Sequence, residues 1–572
     1  MFAALMYCQP YHRDMSRWTR RAVAASRSGL HPSQRMLINH QLVTYFVWNG
    51  EFSRASLIVR HLSREAAFDG AAPMARITHA LAEAIYTSIA DADARACHQA
   101  VHRGLELAEK SGIHVWDGQL LGQGAWSALM EGDADSGGHY LERMNTLLNP
   151  ERRLEYSMYH HLRGWYALLN RDLPLAMEHT MEALRLGRET GVIMVQALNH
   201  QTLALIFLTT GRHEDAYAHL EQALKSGRGK RSGLLRFFRH LIHARALFVS
   251  GRNKRALDEL RQGLEIGRWN GYWTTPWWHA PTMAQLCMKA LDAGIETEYV
   301  RELIRRRHLI PDRAALEIRD WPWPVRISTL GGFALQIDGK PYEPTGKAQQ
   351  KPLDLLKYVV GQRGRNVHQD TLVDALWPDT DGDKARQALS TTLHRLRKVL
   401  GHDDALHLRQ GRLSLDKRLC WLDIREMEYL FDEMDSAISE GRAGRKKARD
   451  ISQKIYACYR GDFMAGEPNV RWFLSCRERL RSRLLRQLGR LGRYWEEMAE
   501  WKSASDVYLR ALEVDNLIEE FYQRLMTCYW KDGRRAEALA VYRRCRDTLR
   551  TGLEIDPSEE TERLHARIRA GT

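Results

Sequence analysis

The sequence predicts a mainly α-helical chain: an α-α solenoid, then a small α+β segment, then a second helical module. Three observations carry this. A turn signal recurs about every forty residues over residues 1–319. Between 325 and 423, short alternating runs flank three helical stretches. Beyond 423 helical periodicity returns and ends in two copies of a pattern of about 34 residues. A chain of 572 residues exceeds what one core serves, so about three to five domains are expected.

In the first segment the turn anchors are Gly50, Asp91, Gly132, Arg171, Gly211 and Gly251. Five positions beyond them stand small residues: Ala55, Ala96, Gly137, Ala176, Ala216 and Ala256. Further along come Leu105, Leu184, Leu224 and Leu264. A small residue early in the second helix of a pair lets the two helices approach, and the later Leu fills the seam. The pattern is that of a tetratricopeptide-like solenoid with a somewhat long period, and Gly211-Arg212-His213-Glu214-Asp215-Ala216 is its clearest copy. Through His114-Val115-Trp116-Asp117 and Leu162-Arg163-Gly164-Trp165 the segment resembles the helical arm of MalT-like regulators. There the arm follows an ATPase and takes part in signal sensing, so the resemblance implies a sensor role. A phosphate cradle of the form G-x-x-x-x-G-K-[ST] does not occur: Gly229-Lys230 is followed by Arg231, Gly339-Lys340 by Pro341 and Gly346-Lys347 by Ala348. The chain opens already inside repeat-like sequence, as a shortened relative or the C-terminal portion of a longer protein would.

Trp269, Tyr272, Trp273, Trp277 and Trp278, with Pro276 and His279, form a dense aromatic cluster. It reads either as a plug between the last repeats or as a wall for a sugar or another flat ligand. His213-Glu214 is not a metalloprotease motif, because Tyr217 stands where the second histidine belongs. His160-His161 reads as surface or packing, and no G-x-S-x-G nucleophile motif occurs. No catalytic residue, cofactor or metal is therefore expected, and the chain does not read as an enzyme.

Trp321-Pro322-Trp323-Pro324 breaks the helical pattern, and 320–324 reads as a stiff linker or docking strap. Runs Val325 to Leu330 and Phe333 to Ile337 then predict short strands, with a turn at Asp338-Gly339-Lys340-Pro341. An apolar helix carries Leu353, Leu355, Leu356, Tyr358, Val359 and Val360, and stops at Gly361-Gln362-Arg363-Gly364. A second runs from Gln369 to Trp377 and ends at Pro378.

The third helix, Lys384 to Gly401, organises the segment. At 100° per residue Ala385, Leu389, Leu393, Leu396 and Leu400 share one narrow face. Lys384, Gln387, Thr391, His394, Arg395 and Lys398 lie opposite, with Arg386, Ser390 and Arg397 at the edge. Carboxylates gather only before it, at Asp379, Asp381 and Asp383, where a helix N-terminus favours negative charge. A basic tip, Arg409-Gln410-Gly411-Arg412, then joins two short runs as a hairpin.

Strands, three helices and a terminal hairpin describe a winged helix of the OmpR type. Residues 351–415 resemble the DNA-binding domain of SARP-type bacterial regulators through Lys351-Pro352-Leu353, Leu376-Trp377-Pro378, Leu393-His394-Arg395-Leu396-Arg397-Lys398 and Gly411-Arg412-Leu413-Ser414-Leu415. The resemblance implies that the third helix enters the major groove and the wing approaches the minor groove of double-stranded DNA. It places Gln387, Thr391, His394 and Arg395 near base edges, Lys384, Thr392, Arg397 and Lys398 near phosphate, and Arg409 and Arg412 on the wing. The wing departs from the common pattern in lacking Gly-Tyr-Arg.

Beyond 423 helices are expected over Ile424 to Ser439, Lys446 to Tyr459 and about Trp472 to Leu491. Two repeats follow, with Ala504 matching Ala538 and Tyr508 matching Tyr542, a turn at Gly533 and Asp556-Pro557 at the close. Tyr459-Arg460-Gly461-Asp462-Phe463, Trp472 and Leu525-Met526 resemble the bacterial transcriptional activator domain over almost all of 424–570. In that family the module follows the winged helix and mediates self-association and activation. The two modules, 325–423 and 424–570, are each expected to hold their own apolar core. Arg477, Arg479, Arg481, Arg483, Arg486, Arg490 and Arg493 form a basic run that reads as a solvated face or as a contact for DNA or an acidic partner.

Net charge is +14 and is spread along the chain, so the argument for DNA rests on one helix rather than on bulk basicity. Apolar content of 44% suits buried cores. Eight cysteines without a C-x-x-C pair suit reduced thiols, and no apolar run reaches membrane-spanning length, so a cytoplasmic location and no membrane partner are expected. The resulting expectation is a DNA-binding transcriptional activator that contacts RNA polymerase, self-associates on tandem sites and offers its repeats to a protein partner. The alternative is a repeat scaffold whose winged helix serves as a protein-docking module.

Overall fold

Left-handed backbone at the turn anchors sets the helical hairpins of the first unit. Gly50, Gly132, Gly211 and Gly251 adopt φ of 77, 80, 76 and 73°, which glycine takes without a Cβ penalty, and Arg171 adopts φ 62°. The computed structural model describes residues 1–571 except 11, 68–70, 92, 228–231, 276, 312–315, 317, 319–320, 345, 347–349 and 468–470. The expectations on Gly229-Lys230-Arg231, Pro276 and Lys347-Ala348, and on the side chains of Leu224 and Trp472, lie outside the described residues. The fold is mainly α, and the chain divides into two compact units, Met1–Trp321 and Pro322–Thr572.

Among the described residues of the first unit, helices Phe2–Cys8 and Met15–Ser26 precede seven helical hairpins. The first two are Pro32–Asn49 with Phe52–Ala66 and Pro73–Tyr86 with Ala94–Ser111. Next come Asp117–Glu131 with Ala134–Leu147, Arg153–Leu169 with Leu173–Glu189, and Ile193–Thr209 with His213–Gly227. Gly233–Val249 with Asn253–Asn270 and Ala280–Asp292 with Thr297–Arg306 complete the stack. Ala55, Ala176, Ala216 and Ala256 are fully buried where the paired helices meet, and a Cβ on Gly137 would stand 2.7 Å from a Leu129 methyl. Leu184 and Leu264 are buried in the seam and Leu105 is half-buried.

One anchor is displaced. Thr87–Asp91 forms a π turn, whose wider ring adds a residue before the second helix. Asp93 is therefore the cap, accepting the Ala96 amide at 2.9 Å, just as Asp133 accepts from Ser136 and Asp172 from Leu175. The small buried residue in this hairpin is Cys97, and Ala96 is only half-buried.

The segment after the sixth hairpin fills the inside of this unit. The Tyr272 hydroxyl donates to the Gly50 carbonyl at 3.1 Å, and a Cβ on Gly50 or Gly233 would lie 2.1 or 2.4 Å from that oxygen. Thr274 donates to the Met130 sulfur at 2.9 Å, and Trp277 packs on Trp165 with centroids 5.9 Å apart. Arg307 donates to Glu131 and to the Met130 carbonyl, each at 2.9 Å.

A second repeat rides on the hairpins. His160 faces His179 at 2.8 Å, His200 faces His219 at 3.0 Å, and at the next equivalent place His240 faces Glu259 at 2.6 Å. His160-His161 is thus part of the packing: His161 is buried and hydrogen-bonded to Asn199. Burial and the neighbouring ring hold His160 and His200 below the ordinary imidazole value, His200 at about 4.

The second unit opens on Pro322–Pro324. Trp323 is buried, and the Pro324 carbonyl accepts the Asp338 amide at 2.8 Å, which fastens this stretch to a sheet. The sheet has order β3-β2-β1-β7, from β1 Val325–Ser328, β2 Ala334–Ile337, β3 Lys340–Pro341 and β7 Cys420–Leu422. Strand β7 pairs parallel to β1, a strand that sequence pattern alone does not announce. A second sheet has order β4-β6-β5, from β4 Val367–His368, β5 Leu406–Arg409 and β6 Arg412–Leu415. Helices Gln350–Gly361, Gln369–Leu376 and Gly382–Leu400 complete the winged helix. Seven helices follow: Asp423–Ser439, Arg445–Cys458, Arg471–Glu497, Trp501–Val514, Glu519–Lys531, Arg535–Leu553 and Glu559–Ala570. Ala504 and Ala538 are fully buried, and the Tyr508 and Tyr542 hydroxyls each donate to a glutamate at 2.5 Å, Glu496 and Glu562.

The expectation of two separate cores is corrected. Val325, Ile327, Leu355 and Val359 belong to one continuous apolar core with Phe431, Phe463, Phe473 and Leu480. The Tyr459–Phe463 signature docks on the end of β1 by backbone: Gly331 N–H donates to the Asp462 carbonyl and Met464 N–H to the Thr329 carbonyl. A Cβ on Gly331 would meet Arg460 at 2.9 Å, and Gly331 has φ 97°. Buried Asp423 closes the junction, accepting the Thr329 and Leu330 amides, the Thr329 hydroxyl and the Ile424 amide. Lys357 pairs with Glu467 at 2.6 Å across the same core.

Asp423→Ala leaves two or three buried donors unpaired, each costing about 1–3 kcal/mol. The substitution should destabilise the second unit by about 3 kcal/mol, read by urea denaturation of residues 322–572. That fragment should unfold in one transition, and two separate transitions would contradict the shared core. In the first unit, depressed histidines stay neutral when folded and charge when unfolded. Their stability contribution is present above the unfolded value of 6.5 and is lost as pH falls toward 4 for His200. Calorimetry of the whole chain at pH 4.5 to 7 should show a shallower loss of Tm for His200→Asn than for the parent.

Candidate nucleic-acid interface

The helix Gly382–Leu400 starts after Asp381, carries Asp383 in its first turn and ends at Gly401 with φ 70°. Ala385, Leu389, Leu393, Leu396 and Leu400 are buried, so the apolar stripe faces the core. Lys384, Gln387, Thr391, His394, Arg395 and Lys398 are exposed together on the opposite side. Thr391 donates its hydroxyl proton to the Gln387 carbonyl at 3.1 Å, which leaves its lone pair and methyl to face outward. Arg386 reaches Asp370 on the preceding helix at 3.3 Å, fixing the angle between the two.

Two of the phosphate assignments are corrected. Thr392 is 7% exposed, on the inner side of the helix, where it cannot meet a phosphate. Arg397 is half-buried and donates to the Leu406 carbonyl at 3.3 Å, so it anchors β5 to the helix. Lys384 and Lys398 keep open positions flanking the exposed face.

The wing is a two-residue hairpin. Gln410 and Gly411, with φ 49 and 69°, give both turn residues the positive φ that a twist-matched hairpin requires. Arg409 and Arg412 stand directly opposite each other across β5 and β6, both exposed. Arg412 donates to the Asn366 carbonyl at 3.3 Å. Like charges in facing positions repel unless an anion lies between them. Beside them runs a cleft lined by His407, Arg409, Arg412, Asp416 and Arg418. Burial raises the Asp416 carboxyl, but bonds from Arg418 and His407 outweigh it and hold it well below the usual carboxylate range. Arg418 and His407 were not legible as wing residues, since their role comes from Asp416 alone. Lys351 and Trp377 of the family motif have a packing role: the ammonium donates to the Leu376 carbonyl at 2.9 Å and lies 5.6 Å over the Trp377 ring.

Of the basic run after 477, Arg479, Arg486, Arg490 and Arg493 are exposed and Arg477, Arg481 and Arg483 are half-buried, and most of these arginines meet a carbonyl or a carboxylate. Arg477 donates to the Phe463 and Met464 carbonyls at 2.7 Å, Arg481 pairs with Asp515, Arg483 with Glu428 and Asp432, Arg490 with Asp435 and Arg493 with Glu520. In the aromatic cluster Trp269 is 71% exposed under Arg268, whereas Tyr272, Trp277 and Trp278 are buried and Trp273 is half-buried beneath Arg306. The five rings do not line one open wall.

Residues 422–569 match the model of the bacterial transcriptional activator domain. Over 226 residues the chain is 30% identical to the regulatory protein AfsR of Streptomyces griseus, covering 39% of this chain and 22% of AfsR. Over 256 residues it is 27% identical to the transcriptional regulatory protein EmbR of Mycobacterium tuberculosis, covering 42% of this chain and 62% of EmbR. It is also similar to the solved structure of M. tuberculosis EmbR in complex with a low affinity phosphopeptide, at TM-score 0.35 and 22% identity, over 44% of this chain and 66% of that one. The chain thus spans less than two thirds of the length of these curated relatives.

Proposed function

We propose that the chain is a SARP-type transcriptional regulator that binds double-stranded DNA in a sequence-specific way and activates transcription. The observation that carries this is the exposed, acid-free face of Gly382–Leu400, flanked by an arginine pair at the wing tip and built on one core with a bacterial transcriptional activator domain. A helix with one apolar stripe and outward Gln, Thr, His and Arg side chains fits the major groove, where Arg reads guanine and Gln reads adenine. In this reading Gln387, Thr391, His394 and Arg395 meet base edges, and Lys384 and Lys398 neutralise phosphates on either side. Arg409 and Arg412 take the phosphate or minor-groove position of the wing. The shared core makes the helix and the activator helices one rigid support, so DNA engagement fixes the orientation in which the activator domain meets RNA polymerase or a second copy on a tandem site. The hairpins of residues 1–321 supply a surface for a protein partner.

Binding by the full chain to a site selected from genomic DNA, read by fluorescence anisotropy against salt, tests the assignment. Arg395→Ala should cost about 1–3 kcal/mol on the selected site and much less on random DNA. Lys398→Ala should weaken both alike and lower the salt slope by about one. Unchanged site preference in Arg395→Ala would refute the groove-facing role of this helix.

A further inference from the structure

The hairpins of Met1–Trp321 line a partly open cavity of about 180 Å³ that the DNA-binding reading does not use. Its walls are mainly apolar, with Val47, Ile89, Met144, Met158, Leu198 and Leu234 among them. They come from first and second helices of successive hairpins, so an occupant would touch several repeats at once. Among the polar side chains of this lining are His40, His161 and Trp126, exposed by 2, 2 and 4%. His40 Nδ1, His161 Nε2 and Trp126 Nε1 have no hydrogen-bond partner. Buried polar atoms are rarely left so, because the unmade bond costs free energy that folding must recover elsewhere.

The chemistry of these atoms is defined by their neighbours. Asn199 Nδ2 donates to the Val195 carbonyl at 3.0 Å, which turns its Oδ1 to His161 Nδ1 at 2.9 Å. The imidazole proton therefore sits on Nδ1, and Nε2 offers a bare lone pair. The Trp126 indole N–H can only donate, and its ring stacks on His161 at 5.7 Å. Burial holds His40 and His161 at about 4, so both are neutral near pH 7. Among the described residues no Lys or Arg lines the cavity, and the acid that does, Glu155, is already beside Arg152 at 3.6 Å. An anionic ligand such as a nucleotide or a carboxylate would find no counter-charge. An engineered apolar cavity of about 150 Å³ takes up benzene, which sets the size scale.

We propose that this cavity binds an uncharged, largely apolar molecule of single-ring size bearing one hydrogen-bond donor and one acceptor. The donor, a hydroxyl or amide N–H, bonds to His161 Nε2, and the acceptor takes the Trp126 indole N–H. The site is independent of the DNA-binding reading, since it lies wholly within the first unit and uses none of the winged-helix residues.

Phenol, toluene and benzoate are suitable probes at pH 7, measured on the full chain by saturation-transfer NMR and thermal shift. Phenol should bind and raise Tm, toluene should bind more weakly, and benzoate should not bind. His161→Leu should weaken phenol about tenfold while leaving toluene unchanged or tighter, as removal of one buried hydrogen bond requires. Trp126→Phe should weaken phenol without disturbing toluene, and it serves as the second readout if His161→Leu does not fold. Leu198→Trp, which fills the space, should abolish binding of both while its circular dichroism stays that of the parent. Equal binding of benzoate and phenol, phenol binding that Leu198→Trp leaves intact, or absence of both neutral probes from the parent chain would each overturn the proposal.

Discussion

The carboxylate of Asp423 is the constraint on which the second unit depends. It stands where β7 ends and the first activator helix begins, and it accepts two amides and a hydroxyl from the end of β1, 93 and 94 residues earlier in the chain. Burial raises its carboxyl pKa, and the bonds from Thr329 and Leu330 oppose that rise. Because these donors lie at the exit of β1, the sheet of the winged helix and the helices of the activator domain are held in one arrangement. Gly331 and Gly461 permit the backbone contact beside it, where any Cβ would collide. The apolar core then runs through both parts without a break.

This continuity decides which of the basic side chains are engaged within the second unit. Arg477, Arg481, Arg483 and Arg490 on Arg471–Glu497 meet carbonyls or carboxylates of neighbouring elements, Phe463, Met464, Asp515, Glu428 and Asp435 among them, while Arg479, Arg486, Arg490 and Arg493 stay exposed. On Gly382–Leu400 Arg397 is spent on the Leu406 carbonyl, whereas Arg395, two residues away, is exposed. Positive charge in the sequence is thus a poor guide to an anion-binding face, and the placement of each guanidinium against its neighbours is the better one.

The first unit is organised by a different constraint, close approach to a central aromatic segment. Tyr272 bonds to Gly50, and Gly50 and Gly233 leave room for its ring. Trp277 extends the packing to Trp165 and His161, and His161 in turn is fixed by Asn199 in the next hairpin. The aromatic segment thus meets the cavity lining through His161, on which Trp277 packs at 6.3 Å.

Residue spacing by itself determined what repeats locally. The turn anchors, the small residues beyond them and the apolar stripe of Gly382–Leu400 follow from backbone geometry, which imposes the same period on every helix. The exposed set Gln387, Thr391, His394 and Arg395 was legible for that reason. What depends on a distant partner was not. The π turn at Thr87–Asp91 moves the buried position from Ala96 to Cys97, and only contact with the preceding helix reveals it. Thr392 is buried, and Arg397 is diverted by the Leu406 carbonyl that β5 brings near it. His160, His200 and His240 recur at a fixed interval in the sequence, yet their meaning lay in His179, His219 and Glu259 on the facing helices. The parallel strand β7, the single core of the second unit and the junction at Asp423 join residues separated by about a hundred positions or more, where no local period carries information and packing alone decides.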